Sequence, residues 1–178
     1  RFSVMIMPVW LMWLIPPVVF MVIPLKMLID WFAIYLPLNK KYNRKEITVK
    51  ASWKIWLTDI GLHLVAVGIM YAALYIDPLF RGNPTSFDDV KEISNATPDW
   101  IVAFFEGILA NPFNSIYSMI FVLILFVVII LIQFKITQKI YAKFGLDAKQ
   151  VTKSSIISTL LMAPWIIIIP TSLFSSII

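Results

Sequence analysis

Apolar residues are gathered into four long runs, separated by stretches that carry most of the charge. A helix needs about 20 apolar residues to cross the hydrocarbon core of a bilayer. Transmembrane strands would instead show short alternating patterns, whereas runs such as 116–134 are continuously apolar. The pattern therefore predicts an all-α integral membrane protein, a single transmembrane domain of four helices. We place the spans at residues 14–38, 55–76, 115–134 and 154–178.

The first apolar run leaves two choices of boundary. It covers residues 4–38, which as one straight helix would exceed the ~30 Å core of a bilayer. It also contains five prolines, and Pro16–Pro17 is the best place for a break. We prefer a short interfacial piece followed by a span over residues 14–38. The alternative is a span over 4–25, with 27–38 lying along the inner membrane surface.

The charged connections predict how the chain is threaded. Residues 39–54 hold six Lys or Arg residues against one acid, and residues 135–153 hold five against one. Residues 77–114 hold two against six. Because Lys and Arg favour the cytoplasmic side of a membrane, we expect the two basic loops inside and the acidic loop outside.

The outer loop, residues 77–114, contains a helix signal. The sequence Thr97-Pro98-Asp99 favours a helix start, with Thr97 as its cap. We expect a short amphipathic helix that either lies on the membrane surface or packs as a lid on the protein itself. Its apolar positions recur at helical spacing: Trp100, Ile101, Phe104, Phe105, Ile108 and Leu109.

Composition supports the membrane class and excludes several site types. The chain is 60% hydrophobic and only 14% charged, against roughly 25% charged in soluble domains. It has no cysteine and one histidine, which excludes disulfides, thiolate sites and zinc sites made of several imidazoles. We expect no metal, no cofactor and no nucleic acid. Because the chain begins at Arg1, we expect it to start inside a longer gene product.

Four ionisable residues stand inside the first two apolar runs: Lys26, Asp30, Asp59 and His63. They form two pairs at i, i+4 spacing, so each pair shares one face of a helix. The two helices are antiparallel neighbours, so the pairs can meet. Such a cluster can bind an ion or head group or relay a proton. Alternatively, Lys26 extends toward the interface, Asp30 neutralises it, and Asp59 lies near the interface.

The remaining polar residues predict packing rather than chemistry. No nucleophile elbow, zinc-protease motif or phosphate-binding loop is present, so we expect no enzyme and no catalytic residue. The amides near the ends of the third span are expected to be interfacial caps: Asn111, Asn114 and Gln133. The hydroxyl residues at the start of the fourth span are expected to be helix-packing groups: Ser154, Ser155, Ser158 and Thr159.

Short motifs in the second and fourth spans resemble those of uncharacterised four-helix membrane proteins of low-GC Gram-positive bacteria. They are Trp56-Leu57-Thr58-Asp59-Ile60-Gly61, Ala163-Pro164-Trp165 and Pro170-Thr171. The resemblance implies a multi-pass protein of the bacterial plasma membrane and carries no activity. It makes Asp30 and Asp59 the first positions to test.

The sequence therefore predicts a non-enzymatic function. A small chain with little soluble mass favours a subunit or scaffold of a membrane complex, with the bilayer and other membrane protein subunits as its partners. The alternative is a component that transports or translocates an ion or proton through the cluster of Lys26, Asp30, Asp59 and His63.

Overall fold

A computed structural model describes residues 16–81 and 97–169, and within them every regular element is a helix and no strand is present. The predicted all-α class is confirmed. Residues 14–15, 82–96 and 170–178 of the predicted spans and outer loop lie outside the described residues, as does the Pro170-Thr171 motif. The helices are α1 (Pro16–Tyr35), α2 (Arg44–Arg81), α3 (Asp99–Leu109), α4 (Ile116–Ala142) and α5 (Ala148–Met162), with 3₁₀ turns at Pro112–Asn114 and Trp165–Ile167.

Two of these helices, α2 and α4, are long and apolar enough to cross a membrane. Helix α4 has 27 residues, a length of about 40 Å at ~1.5 Å per residue. Helix α1 continues without a break past Leu25 to Tyr35.

Helix ends differ from the predicted spans, because a helix can continue beyond its apolar section. Helix α2 begins at Arg44, so residues 44–54 of the predicted basic loop are helical. Helix α5 begins at Ala148, six residues before the predicted span, and ends at Met162. Gly145, shortly after the end of α4, has φ of +68°, a conformation that favours glycine.

The described residues form two compact units. Unit A comprises residues 16–65 and 126–164, and unit B comprises 66–81, 97–125 and 165–169. In unit A, α1, α2, α4 and α5 share one apolar core, in which two alanines allow close helix approach. Its buried members are Ala33, Ile34, Leu38, Ile47, Ala51, Ile55, Tyr141, Leu146 and Met162.

In unit B, the amphipathic helix α3 packs its apolar face on protein, in line with the second of the two predicted arrangements. Ile101, Phe105 and Ile108 are buried, and the Phe104 ring lies 5.4 Å from the Phe121 ring of α4, centroid to centroid. The predicted cap is wrong: Pro98, not Thr97, occupies the position before the first helical residue, and no side chain in the described part of the chain caps the helix.

A hydrogen-bonded cluster of Lys41, Tyr42 and Asp147 lies at one end of unit A, and we call it the polar latch. The Oδ2 atom of Asp147 accepts hydrogen bonds from Lys41 Nζ at 2.6 Å and Tyr42 Oη at 2.7 Å. Its Oδ1 atom caps α5 by accepting from the Gln150 amide at 2.8 Å. These bonds, led by that from Lys41, hold the pKa of Asp147 well below its usual range. The Asp147 carboxylate therefore stays ionised at neutral pH, and its hydrogen bonds fix residues 41–42 to the start of α5.

Candidate functional site

The four ionisable residues predicted from the sequence come together in unit A. On α1, Lys26 Nζ lies 3.0 Å from Asp30 Oδ1, the predicted i, i+4 pair. The same ammonium contacts Asp59 Oδ2 on α2, so one cation bridges two carboxylates on two helices. Both aspartates have 0% exposure. Both aspartates are therefore buried within unit A, and the Lys26–Asp30 pair is common to the two predicted arrangements.

His63 completes the second predicted pair. Its Nδ1 atom lies 2.9 Å from the backbone oxygen of Asp59 and 3.4 Å from Asp59 Oδ1. Because a carbonyl oxygen only accepts, this geometry assigns a proton to Nδ1. His63 is 5% exposed. The imidazole therefore belongs to the buried cluster and lies beside the Asp59 carboxylate.

The structure adds Gln133 of α4, which the sequence placed at an interface as a cap. It is 1% exposed, and its Nε2 atom donates to Asp59 Oδ1 at 2.7 Å. The expectation of an interfacial cap is wrong, because α4 extends nine residues beyond Gln133 and places it inside the unit. The signal was the spacing of Gln133, Thr137 and Tyr141, which puts three polar groups on one helix face.

We define the buried cluster as Lys26, Asp30, Asp59, His63 and Gln133. Its formal charge is −1 when His63 is neutral, since one ammonium faces two carboxylates. It is zero when either His63 or one carboxyl group takes a further proton. An uncompensated charge in an apolar interior is expensive, and the cluster differs from a simple ion pair by one unmatched carboxylate.

Cation ligands are few at this site. Among the described residues, no group of three or more His, Cys, Asp or Glu side chains is arranged to hold a metal ion. The Lys26 ammonium lies between the two carboxylates, where a bound metal would sit. Asp30 Oδ2 and Gln133 Oε1 are buried and accept no hydrogen bond from described residues. These two oxygens can accept hydrogen bonds from a group that carries a proton, but they do not form a coordination shell for a metal ion.

Further buried polar groups lie between the cluster and the latch end of unit A. On α4, Thr137 is buried one turn beyond Gln133, and Tyr141 one turn further. Tyr141 Oη and Ser158 Oγ are 2.8 Å apart, and Ser158 Oγ donates to the Ala33 carbonyl at 2.9 Å. Gln150 Nε2 donates a hydrogen bond to Ser154 Oγ at 2.8 Å. We call these buried groups the polar seam: Thr137, Tyr141, Gln150, Ser154 and Ser158.

The seam also ties helices together, as predicted for the hydroxyl residues. Gln150 Nε2 donates to the Pro37 carbonyl at 2.8 Å, and Ser158 joins α5 to α1. Ser155 and Thr159 are also buried, and their hydroxyl oxygens have no partner among the described residues.

The amides Asn111 and Asn114, also predicted as caps, lie in unit B, where Asn111 Oδ1 accepts from the Phe113 amide at 3.0 Å. This is the local capping role that the sequence predicted, at the 3₁₀ turn before α4. These residues belong to the start of α4 and take no part in the cluster.

Comparison of the chain with protein-family models, with curated proteins and with solved structures finds no match. The resemblance to four-helix proteins of low-GC Gram-positive bacteria therefore stays a prediction, and the function rests on the geometry of unit A.

Proposed function

We propose that this chain is a multi-pass protein of the bacterial plasma membrane that binds and transfers a proton through the buried cluster, as a component of proton-coupled transport. The observation that carries the proposal is the second carboxylate. Lys26 needs only one aspartate to be neutralised, yet it contacts both Asp30 and Asp59. The unmatched carboxylate, next to His63, provides a place for one exchangeable proton.

The distribution of side chains in unit A supports a membrane location. Large apolar residues are exposed while Asp30, Asp59, His63 and several hydroxyl groups are buried, the reverse of the usual order in water. Lipid tails can solvate such a surface. Two helices of sufficient length, α2 and α4, add to this support, and four spans remain part of the proposal. The exposed apolar residues include Leu25, Leu28, Phe32, Leu57, Leu64, Leu131, Ile132 and Leu160.

The threading places the cluster toward the cytoplasmic half. We propose that loops 39–54 and 135–153 face the cytoplasm and loop 77–114 faces outward. Asp59 lies five residues inside Lys54, or about 7 Å along the helix. The polar seam continues toward the same basic end, so it offers hydroxyl and amide groups along a route between cytoplasmic water and the cluster.

The threading is testable by cysteine labelling, because the chain has no cysteine of its own. Lys45→Cys and Asp99→Cys each introduce one thiol at an exposed position. In intact cells, a membrane-impermeant maleimide should label Cys at position 99 and not at position 45, which should react only after permeabilisation. Labelling of position 45 in intact cells would refute the threading.

The single substitutions Asp30→Asn and Asp59→Asn test proton transfer. Each leaves Lys26 paired with the other aspartate, so the cluster becomes neutral without an additional proton and the fold is retained. We expect proton uptake into vesicles, driven by a potassium diffusion potential and read with an internal pH dye, to fall to the rate of protein-free vesicles. The matched control is Asp99→Asn, an exposed carboxylate outside the cluster, which should keep the wild-type rate.

Wild-type rates in both cluster variants would refute proton transfer through this site. Proton transfer would also be refuted if vesicles with the wild-type protein took up protons no faster than protein-free vesicles. In that case the cluster serves helix packing alone. The role as a subunit of a membrane complex stays a prediction, testable by the mass of the particle purified in mild detergent.

A further inference from the structure

A basic pocket opens at the latch end of unit A, away from the buried cluster. It has a volume of about 380 Å³ and lies between the turn after α1 and helix α5. Among the described residues, three cationic side chains line it, from Lys40, Arg44 and Lys153, and no acidic side chain does. Such a concentration of positive charge favours an anionic group.

Hydrogen bonds to the turn after α1 fix two of the side chains that line the pocket. Arg44 Nε donates to the Leu38 carbonyl at 2.6 Å, which fixes the guanidinium beside the turn. Gln150, which also lines the pocket, donates a hydrogen bond from Nε2 to the Pro37 carbonyl. The nearby acid, Asp147, is already neutralised by Lys41. The three pocket cations are therefore not compensated by that carboxylate.

An apolar groove continues from the pocket along α5. It shares Lys153 and Ile157 with the pocket and adds Ile156, Thr152 and the aliphatic part of Lys149. Further along the same helix, Leu160 and Leu161 are each 49% exposed. The helix thus changes from basic to apolar within three turns, which matches an amphiphile with an anionic head and an apolar tail.

We infer that the pocket and groove bind one anionic phospholipid, with its phosphate at Lys40, Arg44 and Lys153 and an acyl chain along Ile156 and Leu160. The apolar groove favours a lipid over free phosphate, and the absence of acidic lining favours an anionic over a zwitterionic head. The inference needs the protein to reside in a bilayer and is independent of proton transfer through the cluster.

Native mass spectrometry of the full chain in detergent, titrated with phosphatidylglycerol, tests the site. We expect one tightly bound lipid, with phosphatidylcholine bound at least tenfold more weakly. Lys40→Gln/Lys153→Gln should weaken phosphatidylglycerol binding by about 25-fold if the two effects are independent, at ~5-fold per basic residue. The control Lys139→Gln/Lys143→Gln removes the same charge at exposed positions outside the pocket and should weaken binding less than threefold.

Two further measurements distinguish the source of the phosphate. Inorganic phosphate should fail to displace the lipid at a hundredfold excess, and Ile156→Asn should weaken lipid binding. Equal losses in the pocket and control variants would indicate a diffuse basic surface and overturn the inference. Displacement by inorganic phosphate, or equal binding of phosphatidylcholine, would overturn it too.

Discussion

Lys26→Met is expected to lower the free energy of unfolding by about 3–5 kcal/mol, the range for removing one partner of a buried ion pair. Methionine has similar length but no charge, so the substitution leaves Asp30 and Asp59 facing each other without the ammonium that contacts both. Unfolding in mixed detergent micelles measures the effect, and the exposed Lys45→Met should change stability by less than about 0.5 kcal/mol.

The triple variant Lys26→Met/Asp30→Asn/Asp59→Asn serves as the rescue. It removes all three charges while retaining hydrogen-bonding side chains, so most of the lost stability should return. A buried charge network can often be replaced by neutral groups at little net cost, whereas breaking it by one partner is costly. Wild-type stability of Lys26→Met, or a triple variant no more stable than Lys26→Met, would contradict a charge-balanced cluster.

Spacing and charge allowed the cluster to be predicted, because both are properties of the sequence. Two i, i+4 pairs on antiparallel neighbours were expected to be able to meet, and the structure joins them through Lys26. Gln133 was missed because it lies near the end of the predicted third span, where a polar residue is expected at an interface. Its role depends on how far α4 continues past the apolar run, which is set by packing of Tyr141 in the core.

Helix ends were predicted less well, because the length needed to cross a bilayer is not the length of the helix. Residues 44–54 are basic, yet Lys and Arg are good helix formers and α2 includes them. The start of α5 did have a signal in the sequence. Asp147 and Gln150 have the spacing of a capping box, and Asp147 Oδ1 accepts from the Gln150 amide.

Gly107→Ala should destabilise unit B, although alanine is the better helix former. A β-carbon on Gly107 would lie 2.0 Å from Ser118 Oγ and 2.6 Å from Ser118 Cβ, so α3 and α4 would have to separate. Ser118 Oγ cannot turn away freely, because it donates to the Pro112 carbonyl at 2.9 Å. Overpacking costs about 1–3 kcal/mol, and the gain in helix propensity is at most ~1 kcal/mol.

A contact of 2.0 Å calls for the upper end of the overpacking range, so the net loss expected for Gly107→Ala is about 2 kcal/mol, measured by the same detergent unfolding. Gly61→Ala is the matched control, because a β-carbon on Gly61 meets no atom within 4 Å, and it should leave stability unchanged or raise it. Adding Ser118→Gly to Gly107→Ala should cost less than the two single losses combined, since the clash is removed. Additive losses would show that α3 does not approach α4 at this point.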